Sequence, residues 1–93
     1  MALEHVSGKN VGNVVLYALS TCPWCRKTKA LLNEKGIEYD FVDVDLLTGE
    51  DRQAAVRIIE KWNPNGSFPT IVIDDKDCIV GYDEDKIKKV LNL

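Results

Sequence analysis

No apolar run in this chain approaches the ~20 residues that a helix needs to span a bilayer, which excludes a transmembrane helix. Residues 1–13 lack the apolar stretch of a secretory signal. Histidine occurs once, at His5, and cysteine three times, at Cys22, Cys25 and Cys78. A structural zinc site takes four ligands, and outside the close pair these residues lie on unrelated segments, so no metal site is expected. An odd cysteine count does not suit a secreted disulfide framework either. Positive charge is scarce and dispersed: 12 Lys+Arg face 15 Asp+Glu, for a net charge of -3, with bases and acids interleaved. Nucleic acid is therefore not an expected partner, since it calls for a basic patch or stripe. The expectation left by these absences is a cytoplasmic protein in which a close cysteine pair serves chemistry rather than a permanent crosslink.

What is present is an ordinary globular balance, 45% hydrophobic and 29% charged, over 93 residues. That is enough for one domain with one core. We read residues 1–12 as a mobile leader and 13–93 as the domain. Val14 to Leu19 is a short apolar run that reads as a buried strand. Pro23 favours the first position of a helix, which puts Cys22 at its N-cap and lets Gly36 close it after about Lys35. Ile37 to Asp45 reads as a strand whose apolar phase switches near Phe41 and Val42. A second helix opens at Thr48-Gly49-Glu50-Asp51, with acids in the first turn, and ends at Asn63-Pro64-Asn65-Gly66. Its Ala55, Ile58, Ile59 and Trp62 fall at helical spacing and are expected in the core. Thr70 to Ile73 and Cys78 to Val80 form a hairpin across a polar turn, and Asp83 caps a last helix. The order β-α-β-α-β-β-α implies an α/β fold with a mixed four-stranded sheet and helices on both faces.

Cys22-Pro23-Trp24-Cys25 carries the chemistry. A disulfide needs Cα atoms about 4.4–6.8 Å apart, which one helical turn supplies. A cysteine at the N-cap also meets the unpaired N–H groups and the positive end of the dipole, and both favour the thiolate. Cys22 is thus the expected nucleophile. Cys25, shielded in the first turn, is the expected resolving thiol. Trp24 reads as a partly exposed contact surface beside the thiol. Phe68-Pro69 reads as a cis turn at the start of a strand, whose Phe68 backbone can pair with an extended substrate. Cys78 has no charged or thiol neighbour that would activate it and reads as a small strand residue.

These residues resemble the glutaredoxin family, from about Val14 to Leu93. The resemblance rests on Cys22-Pro23-Trp24-Cys25 after a strand, Phe68-Pro69 before a hairpin, and Gly81-Tyr82-Asp83 opening the last helix. It implies a thioredoxin-like fold, a cis bond before Pro69, and a glutathione γ-glutamyl site at the Tyr82 backbone and Asp83. Three departures stand out. Leu19 occupies a position where glutaredoxins usually have lysine, Val80-Gly81 replaces a glycine pair, and Phe68 replaces a common valine. They bring the chain closer to glutaredoxin-like redoxins reduced by a flavin or iron–sulfur disulfide reductase. The implied function is a monomeric dithiol carrier, without bound cofactor, that reduces protein disulfides or small mixed disulfides. Pro23, Trp24, Phe68, Pro69, Tyr82 and Asp83 contact the substrate in this reading, and a disulfide reductase or a low-molecular-weight thiol such as glutathione supplies electrons. Two alternatives remain open: a glutathione-dependent glutaredoxin, and an iron–sulfur carrier holding a cluster through Cys22.

Overall fold

The computed structural model describes all 93 residues, Met1–Leu93. In chain order the elements are β1 (Glu4–Val6), β2 (Val14–Ala18), α1 (Pro23–Glu34), β3 (Tyr39–Asp43), a short 3-10 turn (Val44–Leu46), α2 (Gly49–Trp62), β4 (Thr70–Ile73), β5 (Asp77–Val80) and α3 (Glu84–Leu91). From β2 onward this is the thioredoxin-like order expected of the sequence. The strands make one mixed sheet ordered β1-β3-β2-β4-β5. Only the β2–β3 pair is parallel, as the crossover through α1 requires. No helix is long and apolar enough to cross a membrane.

Side chains alternate along each strand, so a sheet covered on both faces needs apolar residues in both phases. Val14, Leu16 and Ala18 of β2 face α1 and α3, together with Leu31, Leu32, Ile71, Ile79, Ile87 and Leu91. Tyr17 and Val72 face α2, where Ala55 and Ile59 are buried and Trp62 packs against them. The same rule explains the phase switch in β3. Tyr39 and Phe41 belong to the first layer and Val42 and Val44 to the second.

The leader is a correction. Residues 4–6, expected to be mobile, form β1 and pair antiparallel with β3, Glu4 opposite Phe41 and Val6 opposite Tyr39. The sheet therefore has five strands rather than four. Lys9 continues the contact: its N–H donates to the Gly36 carbonyl at 2.9 Å, and its carbonyl accepts from the Glu38 N–H at 2.9 Å. Without this segment β3 would present an unpaired edge. A three-residue strand is too short to show as a sequence pattern, and its pairing lies more than thirty residues away in the register Glu4 to Phe41. His5 is exposed, and its Nδ1–H donates to Asp40 Oδ1 at 2.7 Å. This hydrogen bond raises the imidazole above its usual range.

Gly8 allows the close approach, since a Cβ there would lie 2.6 Å from the Gly36 oxygen and from the Ile37 backbone. Backbone cannot swing aside as a side chain can. Gly8→Ala should therefore cost about 1–3 kcal/mol, the usual penalty for overpacking. The Glu38 amide should then exchange faster with deuterated solvent while the β2–β4 amides stay protected.

Candidate active site

The parallel register of β2 and β3 brings a loop and a carboxylate together at the C-terminal end of the sheet. Ala18 lies opposite Asp43, and the same offset of 25 residues carries Ser20 to Asp45. The Ser20 N–H donates to Asp45 Oδ1 at 2.8 Å and the Ser20 hydroxyl donates to Asp45 Oδ2. These bonds hold the Asp45 carboxyl below the usual carboxylate range. They also fix the start of a tight turn in which the Cys22 N–H donates to the Leu19 carbonyl at 3.2 Å. Sequence reasoning missed Asp45. Only the strand pairing could reveal it, because no local pattern links residues 20 and 45.

α1 begins on that turn. Cys22 is the N-cap in an extended conformation, and Pro23, which has no N–H to satisfy, takes the first turn. Cys22 Sγ accepts the Cys25 N–H at 3.2 Å, so an unpaired donor of the helix end points at the sulfur. An ionised acceptor gains most from such a donor. Cys22 is partly exposed, whereas Cys25 is 0% exposed, and both are free thiols. Burial, followed by the hydrogen bond with Cys22, pushes the Cys25 thiol up to about 12. One sulfur is thus open to a substrate and the other is held back one turn away.

The other expected site residues converge on the same end. Trp24 is 54% exposed, stacks on Tyr82 with ring centroids 6.0 Å apart, and lies under the Lys27 ammonium at 4.7 Å. Residues far apart in sequence therefore make one aromatic wall. A groove of about 290 Å³ lined by Lys27, Leu31, Glu34, Tyr82 and Glu84 runs beside it. Two larger depressions lie elsewhere, one on the outer surface of α2 at Arg52, Val56 and Arg57 and one beside α3 at Asp77, Asp83 and Lys86. They hold no thiol and are not the chemical site.

The Phe68-Pro69 bond is cis. Tyr17 pairs with Thr70 in the antiparallel β2–β4 ladder. That register, carried on, puts Pro69 opposite Ala18 and Phe68 opposite Leu19, beside the cysteine turn. Pro69 accepts the Gly81 N–H at 2.8 Å. Below the loop, buried Asn63 donates through Nδ2 to the Ser67 carbonyl at 3.1 Å and to Thr70 Oγ1 at 3.3 Å. The Thr70 hydroxyl donates to the Ser67 carbonyl at 2.7 Å. Asn63 was read from sequence only as a helix breaker. Its side chain in fact holds the loop that faces the thiols.

Asp83 is the N-cap of α3, where its Oδ1 accepts the Lys86 N–H at 3.1 Å. Cys78 lies opposite Val72, and so on the α2 face, away from Cys25. Burial raises its thiol.

Known proteins resemble this chain in sequence and in fold. The glutaredoxin family model matches residues 14–78. The chain is 44% identical to the crystal structure of a glutaredoxin from Methanosarcina mazei, with a TM-score of 0.93, covering 100% of this chain and 90% of that one. It is 41% identical to Methanosarcina acetivorans methanoredoxin, with a TM-score of 0.92, covering 100% of this chain and 97% of that one. Among curated proteins it is 36% identical over 62 residues to "Glutaredoxin 1" of Rickettsia prowazekii. That match takes in 67% of this chain but only 62% of the rickettsial protein's length.

Proposed function

The chain belongs to the glutaredoxin family, whose chemistry is thiol–disulfide exchange, and from that premise we propose that it works as a dithiol electron carrier through Cys22 and Cys25. One observation carries this reading: an accessible sulfur capping a helix, with a buried second thiol one turn on. The Cys22 thiolate attacks a substrate disulfide, forms a mixed disulfide and releases one substrate thiolate. Cys25 then attacks Cys22 Sγ, releases the second substrate thiol and leaves the Cys22–Cys25 disulfide. An external reductant returns the pair to dithiols.

The substrate lies between the Trp24–Tyr82 wall and the Phe68-Pro69 loop. The Phe68 N–H and carbonyl make no hydrogen bond within the chain, so they are available to the backbone of an extended peptide. Pro23 keeps the N-cap geometry, and the Tyr82 backbone and Asp83 flank the far side.

The electron donor follows from charge. Leu19 packs against the apolar α2-side cluster and offers no cation to a carboxylate beside Cys22. Glutathione carries two carboxylates, so this site favours a disulfide reductase or another low-molecular-weight thiol. Reduction of the oxidised protein by glutathione, by a second small thiol and by a flavin disulfide reductase tests this. Glutathione is expected to be the slowest of the three. Equal or faster reduction by glutathione would overturn the donor assignment and leave the dithiol reading standing.

A further inference from the structure

Before Cys25 can attack, it must lose a proton where water has little access. Lys29 follows Cys25 by four residues on α1 and so shares its helix face. The Lys29 side chain is only 23% exposed. Its ammonium lies 3.1 Å from Asp43 Oδ1 and 4.2 Å over the Phe41 ring. Asp43 is 18% exposed, closes β3, and lies opposite Ala18 at the end of the sheet on which α1 begins. A lysine held in this way between a ring and a carboxylate is not a freely solvated surface cation.

The other groups around Cys25 leave Lys29 as the cation of this layer. β2, β4 and β5 present Leu16, Ala18, Ile71, Ile73 and Ile79 to it. Cys22 is the other titratable group acting on Cys25, Tyr39 lies in the same core layer, and Tyr82 packs at its margin. Both tyrosines are raised above their usual range by burial and remain neutral.

We propose that Lys29, restrained by Asp43, is the positioning residue that favours the Cys25 thiolate in the second half of the reaction. The proposal rests on the reading of Cys25 as the resolving thiol. Lys29 lowers the Cys25 thiol against the rise that burial imposes. Asp43 sets where that charge stands. In the step itself, Cys25 gives its proton to solvent and its sulfur attacks Cys22 Sγ. The Cys22–substrate bond breaks as the Cys22–Cys25 bond forms. The substrate sulfur leaves with the electron pair, takes up a proton and is reduced, while the two cysteines are oxidised.

A lysine that merely braces the fold would not shift the pH profile of the resolving step alone. One pKa unit changes the thiolate fraction tenfold. Nucleophilicity runs the other way with a Brønsted slope of about 0.4–0.5, so roughly threefold per unit survives in the rate. In a Cys78→Ser background, which removes the third free thiol, reaction with dithiobis(nitrobenzoate) separates the steps: Cys22 releases the first coloured thiolate and Cys25 the second. Lys29→Gln should slow the second phase about two- to fourfold at neutral pH, shift its pH profile upward, and leave the first phase unchanged. Lys29→Arg should retain the wild-type rate. An unchanged second phase in Lys29→Gln, or a Lys29→Arg second phase as slow as that of Lys29→Gln, overturns the role of Lys29. A second phase that persists in Cys25→Ser instead removes the dithiol reading on which the proposal stands.

Discussion

Cys22→Ser is expected to lower disulfide reduction by about a thousandfold or more, because the thiolate and not the thiol or an alcohol is the nucleophile. The remaining cysteine of the pair cannot stand in for it. Cys25 is 0% exposed and its thiol is pushed up to about 12. Burial, the largest cause of that rise, persists when the Cys22 sulfur is gone, so the Cys25 thiol stays protonated at neutral pH. Cys78 lies on the opposite face of the sheet and its thiol is also raised by burial. Turnover of a model disulfide under a saturating dithiol donor measures the loss. Activity within tenfold of wild type would mean that another group carries the attack.

Cys25→Ser should have the complementary effect. The first step needs only Cys22 and its helix-end donor, and the serine keeps the Cys25 N–H that points at Cys22 Sγ. The variant should take up one equivalent of substrate thiol and stop, giving a stable adduct visible as an added mass. Multiple turnover of a protein disulfide should fall by about a hundredfold or more, since an alcohol cannot resolve the mixed disulfide. In the wild type the resolving step should rise with pH through the neutral range, because burial holds the Cys25 thiol above its usual range. Failure to trap an adduct, or a resolving rate independent of pH, would show that Cys25 does not act as assigned.

The spacing of Cys22 and Cys25 after an apolar strand was sufficient to place the two thiols at a helix start, because that geometry is local. A proline at the first position, a cap before it and a cysteine one turn on are facts of neighbouring residues. The cis Phe68-Pro69 bond, expected by resemblance, is present. The Trp24–Tyr82 wall was half legible: both residues were expected at the substrate, but nothing in the sequence said that their rings stack. The leader was misread because β1 is three residues long and gains its stability from β3 rather than from its own pattern.

The amino-acid sequence by itself determined the order of elements from β2 onward, the two-faced sheet and the candidate pair of sulfurs. Each follows from hydrophobic period, capping and proline chemistry within a few residues. The tertiary structure alone decided which charges and hydrogen bonds support those sulfurs. Asp45 meets Ser20 through the parallel register, Lys29 meets Asp43 across the helix–sheet contact, and Asn63 meets Ser67 and Thr70 beneath the loop. Such pairings depend on strand register and side-chain direction, and a one-residue slip in either would separate them.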